Sequence, residues 1–125
     1  MAKILVVDDD HDFREIVRTI LNSQKYEVLT ANDGEKGLEV MRREKPDLVI
    51  MDIMMSYVLD GLDTRRQMAE DDDLRHIPVI MVTSLTGDQV QSELPSDKPI
   101  PPTEWIKKPF PPNRLLEQVK KMLSR

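Results

Sequence analysis

Three apolar runs in this chain lack the alternation of a half-exposed strand. They are Ile4, Leu5, Val6 and Val7; Leu48, Val49, Ile50 and Met51; and Val79, Ile80, Met81 and Val82. Short continuous runs, mostly β-branched or Leu/Met, suit strands covered on both faces, the usual condition of parallel strands. Two of the runs stop at acid: Asp8, Asp9 and Asp10 follow Val7, and Asp52 follows Met51. Tyr26, Glu27, Val28, Leu29 and Thr30 make a more mixed segment that suits an edge strand. Trp105, Ile106 and Lys107 suit a short fifth strand, also at an edge.

Helical periodicity fills the intervals. Phe13, Ile16, Val17, Ile20 and Leu21 fall on one helical face. Asp12 with Glu15 matches a capping box, with Asp10 as the competing cap. Asn32 and Glu35 open a second helix that carries Leu38 and Met41. Gly61 to Glu70 is a weaker helix, because Arg65 and Arg66 fall where apolar residues are wanted; their stems are expected over the core edge. Leu115, Val119, Met122 and Leu123 mark the last helix, with Pro111 and Pro112 suited to its first turn.

Strands alternating with helices predict an α/β fold, a doubly wound five-stranded parallel sheet with helices on both faces. In such a sheet all strand carboxyl ends share one edge, and ligands bind outside it at the switch point in strand order. The acids follow the apolar runs because the runs are strands and the acids sit at their ligand-facing ends. At 125 residues the chain fits one domain, expected to span 1–125. With no cysteine, disulfides and thiolate metal sites are excluded, and a reducing compartment such as the cytoplasm fits. No run approaches the roughly 20 apolar residues of a membrane helix, so no membrane association is expected. A net charge of −5 disfavours direct nucleic-acid binding, which needs clustered Lys and Arg.

Asp8, Asp9 and Asp52 are expected at strand ends that this topology brings together. Two like charges about 4 Å apart repel by roughly 4 kcal/mol at an effective dielectric of 20. Such a cluster calls for a cation, a shared proton or strong hydrogen bonds. Mg²⁺ suits it, since it takes one or two carboxylates and keeps sites for water and phosphate oxygens. Thr83 ends the fourth strand and Lys108 follows the fifth, adding a hydroxyl and an ammonium at the same edge. Acids, a hydroxyl and an ammonium around one cation make a phosphoryl-transfer site, where a carboxylate can be the nucleophile. Taken singly each feature has a plainer reading: capping for the Asp run, a loop acid for Asp52, a turn for Asp60 and Gly61, core filling for Met51, Met54, Met55, Met68 and Met81. His11 and His76 read as surface residues.

The joint placement resembles the receiver domain of two-component response regulators, chemotaxis-type with a flavodoxin-like fold. The resemblance is carried by residues 4–10, residues 49–55, Asp60 with Gly61, residues 79–83, and Lys107, Lys108, Pro109 and Phe110. It implies strand order 2-1-3-4-5 and a cytoplasmic phosphoprotein of a phosphorelay. Asp52 would accept the phosphoryl group from a histidine kinase, a phosphotransfer protein or a small phosphodonor. Mg²⁺ would be held by Asp9, Asp52 and the backbone carbonyl of Met54, with Asp8 acting through a metal-bound water. Thr83 and Lys108 would bind phosphoryl oxygens, Lys108–Pro109 would be a cis peptide, and the output would be altered binding of a downstream protein partner.

The chain also departs from the family pattern. Ser56 stands where a proline is usual, Ser84 where the small residue after the threonine is often alanine, and Trp105 where Tyr, Phe or His usually acts as the switch residue. The interval from Thr83 to Trp105 is longer than usual, with Pro95, Pro99, Pro101 and Pro102 in its second half. The helix between the fourth and fifth strands is therefore expected to be short or irregular. An alternative is a phosphorylation-independent, receiver-like interaction module with an altered output face. A third, a phosphohydrolase of the haloacid dehalogenase type, lacks the Thr or Val expected after Asp8, Asp9 and Asp10. A true enzyme is not expected, only slow self-dephosphorylation, since Met54 and Leu85 beside the attacking water's path are apolar.

Overall fold

The computed structural model describes residues 2–52, 60–83, 104–107 and 111–123, with the backbone alone at 60–63, 65, 83, 104, 105 and 107. In chain order the elements are β1 (Lys3–Val7), α1 (His11–Asn22), β2 (Glu27–Ala31), α2 (Gly34–Glu44), β3 (Leu48–Asp52), α3 (Asp60–Glu70), β4 (Val79–Thr83), β5 (Glu104–Lys107) and the C-terminal helix α4 (Pro112–Leu123). The strands form one parallel sheet in the order β2-β1-β3-β4-β5. Fold class and strand order are those expected. The helix expected between β4 and β5 falls outside the described residues.

The unalternating runs are explained by a core on each face. Odd-numbered strand positions (Leu5, Val7, Val49, Met51, Val79 and Met81) pack with Leu38 and Met41 of α2 and Met68 of α3. Even-numbered positions (Ile4, Val6, Leu48, Ile50, Ile80 and Val82) pack with Val17 and Leu21 of α1 and Leu115 and Val119 of α4. The side-chain period of two in a strand thus feeds both layers. Met51, Met68 and Met81 are fully buried, as core filling requires. α2 runs close to β1: a Cβ at Gly37 would stand 3.0 Å from Val7 Cγ2. Val7 is fully buried and stiff at χ1, so that spacing leaves no room for a larger residue without movement.

Three local expectations are corrected. α1 is capped by Asp10, not by Asp12. Asp10 has the extended backbone of a cap (φ −87°, ψ 109°), and its carboxylate accepts the N–H groups of Asp12 at 3.0 Å and Phe13 at 3.3 Å. α2 is capped by Asp33, not by Asn32: Asp33 is extended and accepts the Lys36 N–H at 2.8 Å. Ile16, placed on the buried face of α1 by its spacing, is 58% exposed. The stripe is centred on Val17 and Leu21, with Phe13 and Ile20 as its partly buried flanks, and Ile16 lies past its rim.

Candidate functional site at the carboxyl edge of the sheet

The register places the site's backbone. Val7 of β1 is level with Met51 of β3, so Asp8 and Asp52 occupy the next row on adjacent strands. Neighbouring strands run about 4.8 Å apart. The Asp8 N–H donates to the Ala31 carbonyl at 3.1 Å, which carries the β1–β2 ladder one residue past Val7. Asp52 is level with Val82, and Thr83 with Lys107. The chain therefore leaves β1, β3, β4 and β5 along one edge, and the residues at those exits are Asp8, Asp52, Thr83 and Lys107.

Burial separates the acids. Asp8 is fully buried and Asp52 is 8% exposed, whereas Asp9 is exposed. A fully buried carboxylate is rare unless paired or bonded. Part of the account for Asp8 is visible: its Oδ1 accepts the Asp10 N–H at 2.9 Å, and its backbone carbonyl accepts Arg14 Nη1 at 2.7 Å. The loop after β1 is tied twice, since Asp10 at once bonds Asp8 and caps α1. Arg14 was not singled out from the sequence. Its only signal there is a position six residues past Asp8, within reach of the loop once α1 forms.

Of the expected site residues, Asp8 and Asp52 are buried and follow the level residues Val7 and Met51 of adjacent strands, and Asp9 is exposed. Thr83 lies at the same edge by its backbone, and Trp105 lies within β5, two residues before the strand's last position. Met54, Ser84, Lys108 and the Lys108–Pro109 peptide lie outside the described residues, as do Ser56 and Leu85. Among the described residues, no group of three or more His, Cys, Asp or Glu side chains is arranged to hold a metal. The three acids therefore do not close around a point as a cage. Mg²⁺ does not need one: a pair of carboxylates with waters or a carbonyl is its ordinary ligand set. Two neighbouring buried carboxylates match that donor chemistry.

Comparison with known proteins agrees with the fold. The family model described as "Response regulator receiver domain" matches residues 4–120. A probable transcriptional regulator, ycf27, of Cyanophora paradoxa is 38% identical over 126 residues, covering 98% of this chain and 48% of that protein. This chain thus spans about half the length of such curated relatives. Among solved structures, the chemotaxis response regulator CheY4 of Vibrio cholerae is similar with a TM-score of 0.85 and 31% identity, covering 98% of each chain. The BeF3-activated N-terminal receiver domain of Klebsiella pneumoniae RstA is similar with a TM-score of 0.81 and 28% identity, covering 98% of this chain and 99% of that one. The chain belongs to the receiver-domain family of two-component response regulators.

Proposed function

We propose that residues 1–125 form one receiver unit that accepts a phosphoryl group on Asp52, with Mg²⁺ held by Asp8, Asp9, Asp52 and the Met54 carbonyl. The observation that carries this reading is the buried pair Asp8 and Asp52, each one residue past the level pair Val7 and Met51 at the carboxyl edge of the sheet. The Asp52 carboxylate attacks phosphorus, and a phosphorus–oxygen bond forms. The bond from phosphorus to the donor's nitrogen or oxygen breaks, and the donor leaves with its electron pair. Mg²⁺, when bound, offsets the charge of the carboxylates and the phosphoryl oxygens. Thr83 and Lys108 serve as donors to the phosphoryl oxygens, and Ser84 and Trp105 belong to the segment that responds.

The product carries about −1.5 to −2 charges and three acceptor oxygens. It favours whichever conformation places donors best, and the domain's population shifts accordingly. Complete reversal of a 1:99 equilibrium needs about 5.5 kcal/mol of preference, within reach of a few charge-assisted hydrogen bonds at roughly 1.5–3 kcal/mol each. The donor is a histidine kinase or phosphotransfer protein, and the readout is binding of a downstream protein. The relatives named transcriptional regulators are about twice as long as this chain. Contact with DNA is not assigned to this span, whose net charge is −5. Among the described residues no helix is long and apolar enough to cross a membrane; we place the domain in the cytoplasm with its kinase partner.

The test is intact-mass spectrometry after incubation with acetyl phosphate. A mass increase of one phosphoryl group is expected with Mg²⁺, little or none with EDTA, and a lifetime well beyond seconds after the donor is removed. No increase with Mg²⁺ and a competent donor would favour the phosphorylation-independent module instead.

A further inference from the structure

We propose that Arg14 is a positioning residue for cation binding at the acidic edge, an inference that rests on the reading of Asp8, Asp9 and Asp52 as Mg²⁺ ligands given above. Its guanidinium Nη1 donates to the Asp8 carbonyl oxygen at 2.7 Å. That is a short, charge-assisted bond, of the stronger class of protein hydrogen bonds. It fixes the peptide that joins Asp8 to Asp9. The Asp8 N–H is held by Ala31, its carbonyl by Arg14, and its carboxylate Oδ1 by the Asp10 N–H. A buried carboxylate set in place before the cation arrives loses less freedom on binding.

The surroundings explain why Arg14 turns to that carbonyl. It lines a cleft of about 340 Å³ between α1 and α2, beside the outer edge of β2. Lys36 and Arg43 line the same cleft, with Glu39 as the one acid among its described lining residues. Like charges facing Arg14 across the cleft disfavour an outward position. Among the described residues, the second guanidinium nitrogen, Nη2, has a long contact, 3.4 Å to His11 Nδ1. Among the described residues, the Asp8 carbonyl is the short-range acceptor of Arg14, at 2.7 Å.

The charge of Arg14 and its positioning bond have opposite effects on cation affinity. A cation near the site opposes Mg²⁺ electrostatically, so removing it would tighten binding if charge alone mattered. If positioning dominates, removal weakens binding, and outer-shell partners of metal ligands typically contribute about 10- to 100-fold in affinity. Mg²⁺ affinity is measured by calorimetry on the whole protein and on Arg14→Met and Arg14→Lys. The expected result is a loss of about tenfold or more in Arg14→Met, with Arg14→Lys between it and the wild type. Equal or tighter binding by Arg14→Met overturns the inference. Amide exchange at the Asp10 N–H, followed without metal, is expected to quicken in Arg14→Met, because the residue that supplies its acceptor loses the bond to its carbonyl. Unchanged protection there overturns the inference even if the wild type binds no Mg²⁺, an outcome that would separately sink the ligand assignment. If Arg14→Met does not fold, Arg14→Lys carries both comparisons.

Discussion

Asp52→Asn is expected to take up no phosphoryl group from acetyl phosphate and Mg²⁺ under conditions that label the wild type fully. The substitution is nearly isosteric and leaves β3 and both core layers intact, so a loss of labelling reports chemistry and not unfolding. An amide lacks the anionic oxygen that attacks phosphorus, and it also withdraws one charge from the cation site. Asp8→Asn separates these effects. It keeps the acceptor and removes only a metal-side carboxylate, so its labelling is expected to be weak at low Mg²⁺ and to recover as Mg²⁺ is raised. The check is the labelled fraction by intact mass across a Mg²⁺ series. Full labelling of Asp52→Asn would mean that another side chain is the acceptor.

The second large effect concerns stability. Ile50 is fully buried in β3, the central strand, on the face covered by α1 and α4. Ile50→Ala removes buried carbon and leaves a cavity between the sheet and two helices. Such changes cost about 2–5 kcal/mol, against a total stability of about 5–15 kcal/mol for a domain of this kind. We expect about 3–4 kcal/mol here, the middle of that range. Ile16→Ala is the control: the same chemical change at a residue 58% exposed is expected to stay within about 0.5 kcal/mol. Urea unfolding of both variants gives the difference directly, and similar costs at the two positions would contradict the two-layer packing.

The sheet was legible because its strands carry no alternation, and only a strand covered on both faces tolerates that. Ile4 to Val7, Leu48 to Met51 and Val79 to Val82 all fall inside strands, and the odd and even positions of each feed different cores. The acidic edge was legible for the same reason: Asp8 and Asp52 end such runs. What the sequence hid was decided by backbone angles and rotation. Asp10 and Asp12 are equally good caps by composition, and Asp10 caps because its backbone is extended where the helix begins. Asn32 and Asp33 differ by one residue in the same way. Ile16 satisfies helical spacing, but the buried stripe of α1 is narrower than five positions. Arg14 was hidden because its bond is to a backbone carbonyl, and no side-chain pattern in a sequence advertises that partner.

The atom that receives the phosphate decides whether this edge is a phosphoacceptor site. Borohydride reduction of the labelled protein converts an acyl phosphate of aspartate to homoserine, and peptide fragmentation then locates it. Homoserine at position 52, and only there, is the predicted result. Homoserine at position 8 or 9, or a labelled protein with no reducible acyl phosphate at all, would contradict it.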